Sequence, residues 1–395
     1  MTWKETCVMD EKIKFIADVL KQESYFRELC DEYGISRKTG YKWLNRYEEE
    51  GNKGLEDKSK APLNSSNKIE DYVVEEIIKI KQKHLSWGPK KVRKKLISYN
   101  PDWEKYPAIS TVGEYLKGAG LVIPKSRIRK AVPTQGILTK GFAPNEVWST
   151  DFKGHFKTKD GCRCNPLTVS DDYSRYLLYC RHTNKMDYES VKRCFEILFR
   201  EYGLPLVIRS DNGTPFSARS RYGLSKLSFW WIRLGIYPER IESGQPQQNG
   251  RHERMHKTLK AETANPPANS IIKQNERFRY FQEEYNEDRP HEALNMETPS
   301  SYYYKSGRRF ISKLPKVEYN EIFIEKRKVQ SSGHISYKAK EVFISEGLDG
   351  EYVGIEQIEE IKSNVWYCNY KLGILNHETG NIEPEIKKSF AASIN

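Results

Sequence analysis

The sequence predicts a multidomain protein with all-α, α/β and all-β parts, in that order. Three observations predict it. Apolar residues recur at helical spacing through the first 123 residues. Strand and helix patterns alternate over 145–304. Short alternating strands split by Gly, Asn and Asp fill 310–395, the pattern of a small β-barrel. A chain of 395 residues has room for roughly two to four such domains.

Residues 1–60 read as a helical unit. Ile13, Ile16, Ala17 and Leu20 follow i, i+3, i+4, i+7 spacing, which places them on one inward stripe. A second short helix carries Phe26, Leu29 and Cys30, Tyr33-Gly34-Ile35 makes a turn, and Ser36 caps a third helix holding Trp43, Leu44 and Tyr47. Helix, glycine turn and capped basic helix make the helix-turn-helix pattern. Arg37, Lys38, Lys42 and Arg46 are then candidates for the major groove and its phosphates. A plain three-helix bundle with charged outer faces fits the same residues, and the downstream core tips the reading toward DNA.

Residues 51–67 read as a linker. A second helical unit covers 68–123. Ile69, Val73, Ile77 and Ile80 line one helix, Trp87-Gly-Pro89 punctuates, and Val92 and Leu96 line another. Ser110 or Thr111 caps a third helix with Val112, Tyr115 and Leu116, which Gly120 ends. This is a second helix-turn-helix candidate. No acid occurs between Ile77 and Pro101, where eight Lys/Arg cluster, and Lys90, Lys91 and Lys94 are its candidate DNA contacts. An isolated basic run is usually only a solvated face. Residues 124–144 form a basic linker whose Arg127 and Arg129 can track a DNA backbone.

The α/β part has strands near 146–156, 165–171, 176–182 and 204–211, a helix over 187–202 with Val191, Cys194, Phe195 and Leu198 inward, another near 224–234 and a short strand near 236–241. Asp151 lies among apolar and aromatic neighbours in the first strand, and Asp211 ends an apolar strand at an Asp-Asn-Gly turn. Residues 244–263 open as a polar loop and become a helix near Asn249. Asn249, Glu253, His256, Lys257 and Lys260 share one face of it, while Met255 and Leu259 point to a core. An acid inside a strand, one at a strand end and one on a later helix can converge in an α/β fold. Three carboxylates are hard oxygen ligands suited to Mg²⁺ or Mn²⁺. Each acid alone is more simply a cap or a salt-bridge partner.

Five stretches carry a resemblance: Trp148-Ser-Thr-Asp-Phe-Lys-Gly154, Val169-Ser-Asp-Asp-Tyr-Ser-Arg-Tyr176, Ser210-Asp-Asn-Gly213, Gly244-Gln-Pro-Gln-Gln-Asn-Gly-Arg-His-Glu253 and Tyr285-Asn-Glu-Asp-Arg-Pro-His-Glu-Ala-Leu294. In that order they resemble the insertion-sequence transposases of the DDE class, whose catalytic core is like that of retroviral integrases. The resemblance implies an RNase H-like core with Asp151, Asp211 and Glu253 as a triad holding two Mg²⁺ or Mn²⁺ ions. Between Asp211 and Glu253 lie 41 residues, more than that family usually places there, and the surplus is assigned to the segment after Ser217. The implied activity is Mg²⁺-dependent cleavage at element 3′ ends and strand transfer into target DNA. The implied partners are double-stranded terminal repeats, target DNA and further copies of the chain, at least a dimer on DNA. Gln247, Gln248 and Asn249 would touch an element end, with Lys257 and Lys260 on phosphates. Asp171, Asp172 and Arg175 read as structural. Asn286, Arg289, Pro290 and His291 read as orienting the preceding helix, with Pro290 suited to a helix start.

Two rival readings stay open. One is a DNA-binding regulator with an inactive core. The other is a zinc protease, because His252-Glu253-Arg254-Met255-His256 fits H-E-x-x-H. Composition narrows the field further. The net charge of +12 suits a polyanion partner, and residues 1–145 carry 28 Lys/Arg against 20 Asp/Glu. Seven scattered cysteines form no disulfide or zinc framework. The charged N-terminus and the lack of long apolar runs suggest a soluble, unexported protein with no membrane partner, in a bacterial cytoplasm beside the nucleoid.

Overall fold

The computed structural model describes residues 7–58, 69–122, 138–218, 223–242, 248, 250–314, 316–320 and 322–384. The expectations for Arg127, Arg129, Gln247 and Asn249 lie outside them. The chain divides into two compact units, Met1–Ile69 and Glu70–Asn395.

In the first unit, α1 (Val8–Lys21), α2 (Phe26–Glu32) and α3 (Arg37–Glu50) follow the expected order. Ser36 Oγ accepts from Thr39 N at 3.2 Å and caps α3. Gly34 turns at φ +62 between α2 and α3. The inward stripe of α1 differs from the expected one. Phe15 and Ile16 are buried, whereas Ile13 and Leu20 are 42% and 56% exposed. Phe15 wins the interior because its ring meets Phe26 and Tyr33 edge-on. The expected linker also starts too early. Gly51–Leu55 is a 3₁₀ turn, and Leu55 is fully buried with Phe15, Ile16 and Trp43.

The second unit begins with α4 (Asp71–Lys83), α5 (Pro89–Tyr99) and α6 (Ile109–Gly118). Val73, Ile77, Ile80, Val92, Leu96, Val112 and Leu116 are all buried, as their spacing requires. Helix α6 starts earlier than expected, with Ala108 at the N-cap, so Ser110 and Thr111 lie inside its first turn. Pro89 begins α5, where a missing N–H costs nothing.

The α/β part holds β1 (Val147–Phe152), a hairpin of β2 (Phe156–Lys157) and β3 (Arg163–Cys164), β4 (Pro166–Asp171), β5 (Leu177–His182), α7 (Tyr188–Tyr202), β6 (Val207–Ser210), α8 (Lys226–Arg233), β7 (Tyr237–Arg240), α9 (Gly250–Leu259) and α10 (Ile271–Glu283). One mixed sheet runs β5-β4-β1-β6-β7. The first three strands meander antiparallel, and β6 and β7 join parallel to β1 through helical crossovers. Strand side chains alternate faces. Trp148, Leu167 and Val169 therefore pack with Phe195, Phe199 and Trp231 of α7 and α8. The opposite face takes α9 and α10, through Met255, Leu259, Phe278 and Phe281. Asp151 and Thr168 sit on that second face, the side of the sheet where α9 lies.

The C-terminal part is an antiparallel β domain, consistent with the expected small barrel. Strands β8 (Ile324–Lys328), β11 (Tyr352–Gln357), β12 (Lys362–Tyr367), β13 (Tyr370–Asn376) and β14 (Ile382–Pro384) form an antiparallel sheet in the order β14-β13-β12-β11-β8. Strands β9 (His334–Tyr337) and β10 (Lys340–Phe343) form a separate hairpin. Among the described residues β14 and β8 are the edges of this sheet. The first strand starts at Ile324 rather than at 321, because Ile322 and Phe323 are left exposed. Leu224, Phe229 and Ile232 join this sheet's core and fix it to α8. No helix among the described residues is long and apolar enough to cross a membrane.

Candidate active site

Sheet register brings two of the three predicted acids together. Ser149 pairs with Arg209 in the parallel β1–β6 ladder. Two residues further along, Asp151 and Asp211 stand side by side at the strand ends. Gly213 N donates to Asp211 Oδ1 at 3.0 Å. A Cβ at Gly213 would lie 3.0 Å from Asp211 Oδ2, so glycine lets the turn fold over the carboxylate. Glu253 lies exposed in the first turn of α9.

The electrostatics report the same proximity. Burial pushes the Asp151 carboxyl up to about 7, and the neighbouring charges of Asp211 and Glu253 add to that push. Burial raises Asp211 as well, against the stabilising Gly213 N–H. The charges of two other acids thus crowd the Asp151 carboxyl in a partly dry cleft. Their oxygen donors suit Mg²⁺ or Mn²⁺, which compensate the crowded charge.

Helix α9 packs on the face of the sheet that carries Asp151, near enough for the Glu253 charge to act on that carboxyl. Its buried stripe is His252, Met255, His256 and Leu259. The expected face that grouped His256 with Glu253 and the lysines is thus corrected, since His256 is only 5% exposed. The signal was present, because 252, 255, 256 and 259 follow i, i+3, i+4, i+7 spacing. Thr168 Oγ1 lies 2.7 Å from His252 Nε2 and 2.6 Å from His256 Nε2. Both imidazoles point into the sheet, and the Thr168 hydroxyl fills the place where their nitrogens meet, where a protease would hold its zinc. Arg251 anchors the start of α9 on Asp172 at 2.5 Å.

The acids read as structural are so. Asp171 accepts from Ser174 N, Ser174 Oγ and Asn145 N at 2.6–2.8 Å. Asp172 is surrounded by Arg175, Arg209 and Arg251. Asn286 acts as a backbone mimic, accepting from Leu177 N at 2.8 Å and donating to Leu177 O at 2.9 Å. It ties the end of α10 to β5. Pro290 follows that helix instead of starting one, two residues before the 3₁₀ turn Glu292–Leu294. His291 is half-buried and meets Tyr285 edge-on, and desolvation holds its imidazole down at about 3.

The remaining basic candidates fall into two groups. Arg37, Lys38 and Lys42 are exposed on α3, Arg46 is half-buried, and Lys257 and Lys260 are exposed on and just after α9. Gln248 accepts from Glu242 N at 2.8 Å, closing the loop before α9. By contrast Lys90 and Lys94 pair with Glu292 and Glu297 at 3.3 and 2.5 Å. Lys91 sinks into the same junction, where burial and Arg289 hold its ammonium down at about 8. Lys95 pairs with Asp288 at 2.5 Å, and Trp87 Nε1 donates to Glu284 Oε1 at 3.1 Å. The α4–α6 bundle thus docks on the core through much of its basic run.

Comparison with known proteins agrees with this architecture. Two family models described as integrase core domain match residues 142–246 and 234–299. A helix-turn-helix domain model matches 11–62 and a homeodomain-like domain model matches 39–116. An uncharacterized 31.7 kDa protein of insertion element IS407 from Burkholderia multivorans is 30% identical over 189 residues, covering 47% of this chain and 66% of its own length. The transposase for insertion sequence element IS904 from Lactococcus lactis is 27% identical over 167 residues, covering 41% of this chain and 63% of its own. The Gag-Pol polyprotein of baboon endogenous virus is 28% identical over 157 residues, 39% of this chain and 8% of that one. The chain thus spans slightly less than two thirds of the first two relatives it matches. Helix-turn-helix units ahead of an integrase core define the class. The chain carries an integrase core domain with helix-turn-helix domains ahead of it, and it is similar to insertion-sequence transposases.

Proposed function

We propose that the protein is a transposase that binds the terminal inverted repeats of an insertion sequence, cleaves at the 3′ ends and joins them to target DNA. The observation that supports this best is the meeting of Asp151 and Asp211 at neighbouring strand ends with the Glu253 charge acting on Asp151. Asp151, Asp211 and Glu253 would hold two Mg²⁺ or Mn²⁺ ions. Such ions, when bound, supply Lewis-acid activation of a water or a 3′-OH and stabilise the leaving oxygen. The three carboxylates fix where the scissile phosphate can sit. Lys257 and Lys260 meet flanking phosphates, and Gln247, Gln248 and Asn249 border the element end. Arg37, Lys38, Lys42 and Arg46 of α3 read the repeat, and Arg127 and Arg129 follow its backbone. Joining two ends requires two sites in one complex, so a dimer or larger assembly forms on DNA. A bacterial cytoplasm, beside the nucleoid, is the compartment this activity needs.

The test is incubation of the protein with labelled element-end DNA and Mg²⁺. Nicking and joining that vanish in Asp151→Ala support the transposase. Tight binding without nicking supports the regulator.

A further inference from the structure

The triad and the docked bundle leave one basic segment without a task. Between β1 and β4 the chain folds out as the β2–β3 hairpin, where Lys153, Lys157, Lys159 and Arg163 stand against a single acid, Asp160. Gly154 turns at φ +78 and starts the hairpin close behind Asp151. One side of the hairpin is core. Phe156 meets Phe278 edge-on, and Cys164 is fully buried in one cluster with Met255 and Leu259 of α9. Lys159 N and Asp160 N donate to Ala268 O and Asn269 O at 2.9 and 3.2 Å. The hairpin is thereby fixed to α9 and to the segment that follows it.

The other side is positive and uncompensated. Phe156 pairs with Cys164, and Lys157 with Arg163. Side-chain alternation turns Lys157 and Arg163 outward together, and both are exposed. Like charges directly opposite each other destabilise a hairpin. Arg163 is nevertheless held in place, its Nη2 donating to His155 Nδ1 at 3.1 Å and its Nε to Asn165 Oδ1 at 3.2 Å. Neither partner cancels its charge. The Asp160 carboxylate is taken up by Thr158 Oγ1 and Cys162 N inside the turn. Among the described residues none of Lys153, Lys157, Lys159, Arg163, Lys257 and Lys260 has an ion-pair partner. Lys153 and His155 share a crevice with Lys260, so the positive surface passes from the end of α9 onto the hairpin. A basic run is usually only a solvated face. Solvation gives no reason to set two cations opposite each other and clear of every acid, whereas a bound polyanion relieves their repulsion.

We infer that the β2–β3 hairpin is a phosphate-binding ridge for the element-end duplex, continuing the contact made by Lys257 and Lys260. From Lys153 to Lys157 the chain spans at most about 13 Å. One DNA strand carries a phosphate per roughly 3.4 Å of axis, so the ridge meets about three or four phosphates beside the scissile one. The element end is the occupant, because the ridge extends the surface that holds DNA during nicking, a step that needs no target. Phosphate contacts fix register without reading sequence. Lys153, Lys157 and Arg163 are therefore positioning residues for the cut, an assignment that rests on the transposase reading.

Lys157→Gln combined with Arg163→Gln tests the ridge in the full-length protein, with a labelled duplex of the element's terminal repeat as the probe. The slope of log affinity against log salt should fall by about 2, roughly one for each lost phosphate contact. Lys157→Arg combined with Arg163→Lys should keep the wild-type slope. Nicking by the Gln variant should recover at raised element-end DNA, the loss lying in KM and not in kcat. Without DNA, at low salt, its melting temperature should equal or exceed wild type, because the opposed charges are gone. A wild-type slope overturns the inference. A lowered melting temperature also overturns it, since the two cations would then be supports of the hairpin itself. Joining of a pre-nicked end that recovers only when target DNA is raised makes the surface a target-DNA site and overturns it as well. If the wild type binds the duplex without nicking it, the transposase reading fails and the slope by itself decides the ridge. If the wild type does not bind it, both fall.

Discussion

Asp151 carries the sharpest prediction at the level of single residues. Its carboxyl titrates near 3.9 in an unfolded chain and at about 7 in the fold. A raised folded value means stability is fully present below about pH 4 and is lost as pH rises through about 7. Metal-free protein should therefore lose stability over that window, each tenfold difference in proton affinity between fold and unfolded chain being worth about 1.4 kcal/mol. Asp151→Asn removes the cost while abolishing Mg²⁺-dependent nicking. Its melting temperature should exceed wild type increasingly from pH 5 to pH 8 without metal. A gap that stays constant would show that the carboxyl is not crowded. Glu253→Gln should behave differently, because Glu253 is exposed. Its stability should stay within about 0.5 kcal/mol of wild type while nicking disappears, as thermal melts and gel assays can show.

At the level of elements, α9 is placed by what lies beneath it. Asp172 has a side chain only 5% exposed, and Arg251, Arg175 and Arg209 converge on it. Removing its charge takes the carboxylate from Arg175 and Arg251, while Arg209 keeps Glu239. Asp172→Asn should cost about 3–5 kcal/mol and speed amide exchange across 250–259. Unchanged exchange there would separate Asp172 from the seating of α9. Asn286 does similar work for α10, where it replaces a missing strand partner for Leu177. Asn286→Leu leaves that buried N–H unmet, while Gln282 Nε2 still donates to the Leu177 carbonyl, a loss of about 1–3 kcal/mol. Much of this was legible. Helical spacing marked Met255 and Leu259 as core, and the turn at Asp211 marked a strand end. The partners of Asp172 were not, because three arginines from separate elements meet only when the chain folds.

For the molecule as a whole, the placement of charge decides which cations remain for DNA. Lys42 is exposed on α3, whereas Lys94 is paired with Glu297 and Lys95 with Asp288. Lys42→Ala should lower the slope of log affinity against log salt by about 1. Lys94→Ala should leave the slope close to wild type, and equal effects from both would mean the docked face opens on DNA. Lys95→Glu should loosen the α4–α6 bundle from the core and expose new protease sites, since Lys95 and Asp288 are 12% and 27% exposed. Lys94→Glu should do less, its pair being more exposed and therefore worth only about 0–1 kcal/mol.

The order of the helical, α/β and β parts and the helix that bears Glu253 were determined by the chain itself, because apolar periodicity and turn residues act locally. Which face of α9 turned inward and where the basic run of α5 went were decided only in three dimensions. Histidine and lysine are amphipathic, and local pattern leaves them free to be buried or exposed. Their fate depends on distant partners, Thr168 for the histidines and Glu292, Glu297 and Asp288 for the lysines, which only the folded sheet and helices bring within reach.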